Sequence, residues 1–164
     1  MDQQTYAAVM HRLETFTREV GTECQRERLE SGVEELRFLA ALQADGTDLA
    51  WFRLAVVQLE GMDLAQVYVT VLARLGQARE QLTQAIAQWN AHSPLGQYGI
   101  DEAQDQLYHR SRLSLDGQAP AAKLAEQIMA AVTLVHEELS RHSRAAHAMV
   151  AGASWQQVRD WDPA

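Results

Sequence analysis

The sequence predicts an α+β fold: a two-layer sandwich in which an antiparallel five-stranded sheet packs against helices, in the order α-β-β-β-α-β-β-α. Three observations carry this expectation. Apolar residues recur at three-and-four spacing in three separate segments, and the middle of the chain switches to two-residue alternation. Turn-forming pairs (Asp45-Gly46, Glu60-Gly61, Ser93-Pro94, Asp116-Gly117) fall where the period changes. The 164 residues fit one domain, expected over 1–152 with a C-terminal tail at 153–164. A composition of 47% hydrophobic and 22% charged residues suits a chain that buries a core without a disulfide or structural metal.

The first segment places Tyr6, Val9, Met10, Leu13, Phe16, Thr17 and Val20 on one helical stripe, with Asp2 as N-cap and Gly21 as stop. Residues 22–32 are charged and fit either a helix extension or a connection. From Glu34 the period is two: Leu36, Phe38, Ala40 and Leu42 alternate, an apolar run follows over 51–59, and Val67, Val69 and Val71 alternate with polar neighbours. β-Branched residues dominate 67–71, each costing a helix about 0.5 kcal/mol relative to alanine. Three antiparallel strands joined by short hairpins are therefore expected. Residues 77–90 return to helical spacing through Ala78, Leu82, Ala85, Ile86 and Trp89, and Pro94 ends that helix. Two strands follow over 98–102 and 106–115, with Leu107, His109, Ser111, Leu113 and Leu115 on one face. A final helix opens near Pro120 and carries Leu124, Ile128, Ala131, Val135 and Leu139 until Gly152.

The formal net charge of −8, from 22 acids and 14 bases, argues against direct binding to nucleic-acid phosphates and favours basic partners. Two arginine pairs, Arg26 with Arg28 and Arg110 with Arg112, read most simply as solvated surface. The polar start of the chain opens no signal-peptide run, and no segment is long and apolar enough to span a membrane, so a cytoplasmic protein is expected. Cys24 is the only cysteine, so no disulfide forms within the chain.

Motifs for chemistry are absent. The nine glycines form neither a P-loop nor a dinucleotide fingerprint, and there is no G-x-S-x-G elbow. His136, His142 and His147 are six and five residues apart, off the i, i+3 or i+4 spacing of a helical metal pair. Glu138 and His142 do have that spacing and read as an ordinary surface pair. The adjacent acids Glu34-Glu35 and Asp101-Glu102 point to opposite sides of a strand, so neither pair converges on one substrate atom. No catalytic residue, cofactor or metal is expected.

The strand over 51–59 is the informative element. One of its faces carries Trp51, Ala55, Val57 and Leu59; the other carries Phe52, Leu54 and Val56. A sheet covered by helices on one side should alternate apolar with polar. Both faces here are apolar, so something beyond the helices should cover the outer one: a second copy, a client segment or the tail, where Trp155 and Trp161 suit docking. Trp51, Phe52, Leu54, Val56, Tyr68, Trp155 and Trp161 are the resulting candidates for a protein-binding or dimer surface.

The helix over 82–90 (LTQAIAQWN), the strand pair over 98–117 (YGIDEAQDQLYHRSRLSLDG) and the long closing helix, in this order of elements, resemble the YbjN-like family with its type III secretion chaperone-like fold. The match is best over 82–139. The resemblance implies a compact domain, commonly dimeric, in a fold whose secretion chaperones hold extended client segments. Residues and resemblance together lead to a non-catalytic chaperone-like or adaptor protein that binds a flexible partner segment, a DNA- or RNA-binding protein being one candidate client. The alternatives are an enzyme with an unrecognised site and a purely structural homodimer.

Overall fold

The structure, a computed structural model, describes residues 1–19 and 23–161. Helix α1 (Gln3–Glu19) is capped as expected: the Thr5 amide donates to Asp2 Oδ1 at 2.6 Å. Its buried stripe is Val9, Met10, Leu13 and Thr17; the expected continuation to Val20 and stop at Gly21 lie outside the described residues. Strands β1 (Cys24–Arg28), β2 (Glu34–Ala41), β3 (Leu49–Leu59) and β4 (Met62–Ala73) follow. Then come α2 (Arg79–His92), β5 (Gly96–Asp101), β6 (Gln106–Leu115), α3 (Ala121–Val150) and the short α4 (Trp155–Val158). Every strand pair is antiparallel, in the order β1-β2-β3-β4-β6-β5.

The α+β class holds, but among the described residues the sheet has six strands rather than the five expected. The extra one, β1, lies in the charged stretch read as helix extension or connection. Its pattern is hidden because four of its five side chains are exposed, leaving no apolar alternation to read. Backbone pairing to β2 defines it, aided by ion pairs from Arg26 to Glu34 and from Arg37 to Glu27.

Alternation sorts each strand into two faces. Leu36 and Phe38 of β2, Phe52, Leu54 and Val56 of β3, Val67 and Val69 of β4, and Leu107 and His109 of β6 are all buried on one side, beneath α1, α2 and α3. Phe38 and Phe52 stack there with ring centroids 5.1 Å apart. Phe52, Leu54 and Val56 are thus core positions, not a docking surface. Trp51, one residue away, stands on the opposite face at 50% exposure.

The turns use residues suited to them. Glu60 and Gly61 link β3 to β4, with Leu59 facing Met62 and Gly61 at φ 76°. Between β5 and β6, Asp105 takes φ 52°, a conformation aspartate tolerates. It is fixed there by Arg79 Nη2 donating to its carboxylate at 2.6 Å and by the Arg74 amide donating to its carbonyl at 2.8 Å. Helix α3 runs 30 residues and ends before Gly152 at φ 105°.

The described part of the tail returns to its own chain. The Trp155 amide donates to Gln81 Oε1 at 2.8 Å, the Trp155 ring meets Trp89 edge-on with centroids 6.1 Å apart, and Val158 is 1% exposed. It packs beside α2 and α3, so these residues do not cover the outer face of the sheet. Trp161, 52% exposed, is held by none of these contacts.

Candidate functional site on the open sheet face

Among the described residues no helix lies over the outer face. Strand registers set its side chains in rows. At one end lie Leu49, Leu39, Trp51, Thr70 and Tyr108; at the other lie Val57, Leu64, Leu59 and Met62. Leu49, Trp51, Leu59 and Met62 are each about half exposed, at 55%, 50%, 53% and 48%. These apolar ends flank a polar belt containing Gln25, Glu27, Glu35, Arg37, Arg53, Gln66, Tyr68, Arg110 and Arg112.

The belt is locally ordered. Glu35 is 4% exposed although no helix covers it, because its carboxylate accepts from Arg37 Nε at 2.7 Å and from Arg53 Nε and Nη2 at 2.8 and 3.2 Å. Burial pushes the Glu35 carboxyl up, but the hydrogen bonds and charges of Arg53 and Arg37 outweigh it and hold the group below the usual range. The Arg53 guanidinium also lies 5.1 Å from the centre of the Tyr68 ring. Tyr68 is nearly parallel to Tyr108, with centroids 5.2 Å apart. Gly99 makes room for the latter: a Cβ at that position would come within 2.5 Å of the Tyr108 ring.

The two sheet edges differ. At β5, Asn90 of α2 receives the Tyr98 amide at 2.7 Å and donates to the Tyr98 carbonyl at 3.0 Å, occupying that edge as a neighbouring strand would. At β1 the side chains of Gln25, Arg26, Glu27 and Arg28 are exposed. A two-fold copy of β1 added there would set Arg26 against Arg26 or Glu27 against Glu27. Such like-charge pairs disfavour those two registers.

A second cluster, unanticipated in position, lies under the other face. Glu138 and His142, expected as a surface pair, are 7% and 9% exposed. Burial follows from position: Val135, Glu138, His142, Ala145 and Met149 continue the three-and-four spacing of the helix stripe, and that spacing was the available signal. His109 is fully buried with Nε2 3.6 Å from Glu138 Oε1, and Tyr98 Oη lies 2.9 Å from His142 Nδ1, while the His142 ring stacks on Trp89. Gly96 permits this packing, since a Cβ there would come within 2.6 Å of the His109 ring. Burial raises the Glu138 carboxyl, but the neighbouring polar groups of His109 and Ser93 and the charges of His109 and His142 bring it below its ordinary value. The remaining histidines go separate ways: His136 Nε2 donates to the Ala41 carbonyl at 2.8 Å, and His147 Nδ1 contacts the Ser143 carbonyl and Asp48. Among the described residues, no three His, Cys, Asp or Glu side chains are placed to hold a metal ion. No described helix is long and apolar enough to cross a membrane.

Recesses also mark the surface. An apolar one of about 590 Å³ opens between α1, β2 and α3, lined by Phe16, Phe38, Phe52, Met129 and Val132. Another of about 470 Å³ lies at the end of α2, between Trp89, Glu138, His142 and Trp155.

Sheet, one-sided helical layer and bare outer face define a small open-faced α+β domain. The chain belongs to the YbjN family, described as "Putative bacterial sensory transduction regulator", whose model matches residues 25–141. Its fold is similar to the crystal structure of YbjN from E. coli, "a putative transcription regulator", with a TM-score of 0.50 and 11% identity over 83% of this chain and 92% of that one. At such identity the likeness is one of fold. The Yersinia pestis type III secretion chaperone SycH, solved with a stable fragment of YscM2, overlays with a TM-score of 0.36 and 20% identity over 77% of this chain and 98% of that one. The curated proteins contain no match to the chain.

Proposed function

We propose that this chain is a non-catalytic, chaperone-like binding protein that holds a flexible segment of a partner protein across the outer face of its sheet. The observation that supports it most is the exposure of Leu49, Trp51, Leu59 and Met62 on a face that neither the helices nor the described tail covers. Two half-exposed apolar pairs, one at each end of the same uncovered sheet face, give an extended partner segment two places to seat apolar side chains. Aromatic and arginine side chains, here Trp51, Tyr68, Tyr108, Arg53 and Arg110, are the types enriched where proteins bind one another. Trp51 and Tyr68 remain in the binding surface; Trp155 belongs to the docked tail.

The test is affinity capture from native extract with the wild-type chain and with Trp51→Glu/Leu59→Glu, both confirmed folded by circular dichroism. A protein enriched by the wild type and lost with the double variant supports the proposal. A protein held equally by both overturns it, as does a change in mass by light scattering that shows only a second copy on this face.

A further inference from the structure

We infer that the segment held by this face is acidic in its middle and apolar at its ends, an inference that rests on the proposed docking role of the face. Net charge alone, at −8, points to a basic client. The placement of the charges points the other way. On the outer face four arginines (37, 53, 110 and 112) stand against three acids (Glu27, Glu35 and Asp101), so the excess of acid lies elsewhere on the molecule.

The three acids are already engaged. Glu35 is clamped by Arg37 and Arg53, and Glu27 pairs with Arg37 at 2.6 Å. The Asp101 carboxylate accepts the amides of Ala103 and Gln104 at 3.0 and 3.1 Å. Arg110 and Arg112 are not engaged in this way. Both are exposed, and among the described residues neither has a carboxylate within ion-pair distance; Arg112 Nε reaches only Gln66 Oε1, at 3.3 Å. Being two apart on β6, they project from the same face about 7 Å apart. Alternate carboxylates of an extended segment have the same spacing, and a guanidinium is suited to bidentate carboxylate contact.

The apolar rows set the rest of the pattern. Along β3 the Trp51 row and the Leu59 row are separated by eight residues, about 27 Å. An extended segment running with the strands would therefore place apolar side chains about eight residues apart, with acids on the intervening sheet-facing positions opposite Arg110 and Arg112. A lysine-centred segment would meet two unpaired guanidiniums and be repelled.

Two fluorescein-labelled peptides of equal length test this against the full chain by fluorescence anisotropy. Both carry leucine pairs at each end; one has glutamates between them and the other lysines. The glutamate peptide is expected to bind at least tenfold more tightly, to weaken as salt rises, and to lose its preference with Arg110→Glu/Arg112→Glu, whose fold is checked by circular dichroism. Equal binding of the two peptides, sensitive to Trp51→Thr, overturns the acidic preference and leaves the docking face standing. Binding of neither peptide, or binding indifferent to Trp51→Thr, overturns the docking face as well. A labelled oligothymidylate that binds more tightly than the glutamate peptide replaces a protein client with a nucleic acid and overturns the inference.

Discussion

Trp51 and Phe52 are adjacent, similar in size and opposite in environment, which makes them a stringent internal control. Phe52→Ala removes a fully buried ring that stacks on Phe38 at 5.1 Å. Aromatic-to-alanine changes in a core cost about 3–5 kcal/mol, from lost transfer energy and the cavity left behind. Trp51→Thr keeps a β-branched residue in the strand and loses only cross-strand packing against its directly opposed partners Leu39 and Thr70, about 0.2–1 kcal/mol for such a pair. For a chain of this length 1 kcal/mol moves Tm by about 2–4 °C. Phe52→Ala should therefore lower Tm by about 6–20 °C, and Trp51→Thr, which loses two such pairs, by no more than about 8 °C. Thermal melts by far-UV circular dichroism, backed by urea titration, read both values. A Trp51→Thr loss equal to or larger than that of Phe52→Ala would refute the assignment of faces.

Three further outcomes follow from the packing. The folded-state carboxyls of Glu138 and Glu35 sit below their ordinary value of 4.5. Their stabilising contribution is therefore complete above that value and is lost as pH falls through the lower folded one; urea titrations across this range should show a shallower acid limb for Glu138→Gln, and an unchanged limb would contradict the internal His109–Glu138 pairing. Asn90→Ala leaves the Tyr98 edge without its two side-chain hydrogen bonds, which should cost about 1–3 kcal/mol and speed amide exchange at Tyr98; unaltered exchange would show that the amide of Asn90 does not hold this edge. Deleting residues 153–164 exposes Trp89 and removes Val158, a fully buried side chain worth about 1.5–3 kcal/mol, so Tm should fall by several degrees; an unshifted melt would mean that the tail contributes nothing to the fold.

Much of the fold was legible because burial imposes periodicity. Phe52, Leu54 and Val56 alternate with Trp51, Arg53 and Ala55, and Leu82, Ala85 and Trp89 share a helix side, so β3 and α2 could be read from spacing alone. β1 could not, because it is an edge strand held by backbone pairing and ion pairs, and such a strand leaves no apolar alternation in the sequence. The open face was legible only as an excess: β3 was apolar on both sides where one sufficed. Which side faced the helices depended on the joint register of β2, β3 and β4, and no single strand contains that information. Glu138 and His142 were misplaced for a related reason. Their residue types indicate surface and their spacing indicates core, and spacing prevailed because His109, Tyr98 and Trp89 supply buried partners. Those partners come from α2, β5 and β6, and nothing in the spacing within α3 points to them. The cationic character of the face was likewise hidden, since a net charge of −8 sums over both sides of the sheet.

Whether the outer face of the sheet holds a partner segment can be read from a position scan with a photo-crosslinking phenylalanine analogue in the native host. Placed at Trp51, Leu59 and Gln66 on the outer face, the analogue should yield the same crosslinked protein at all three positions. Placed at Glu126 and Gln127 on the exposed side of α3, it should yield none of that protein. Crosslinks that arise only from α3, or equally from both faces, would contradict a partner segment on the outer face.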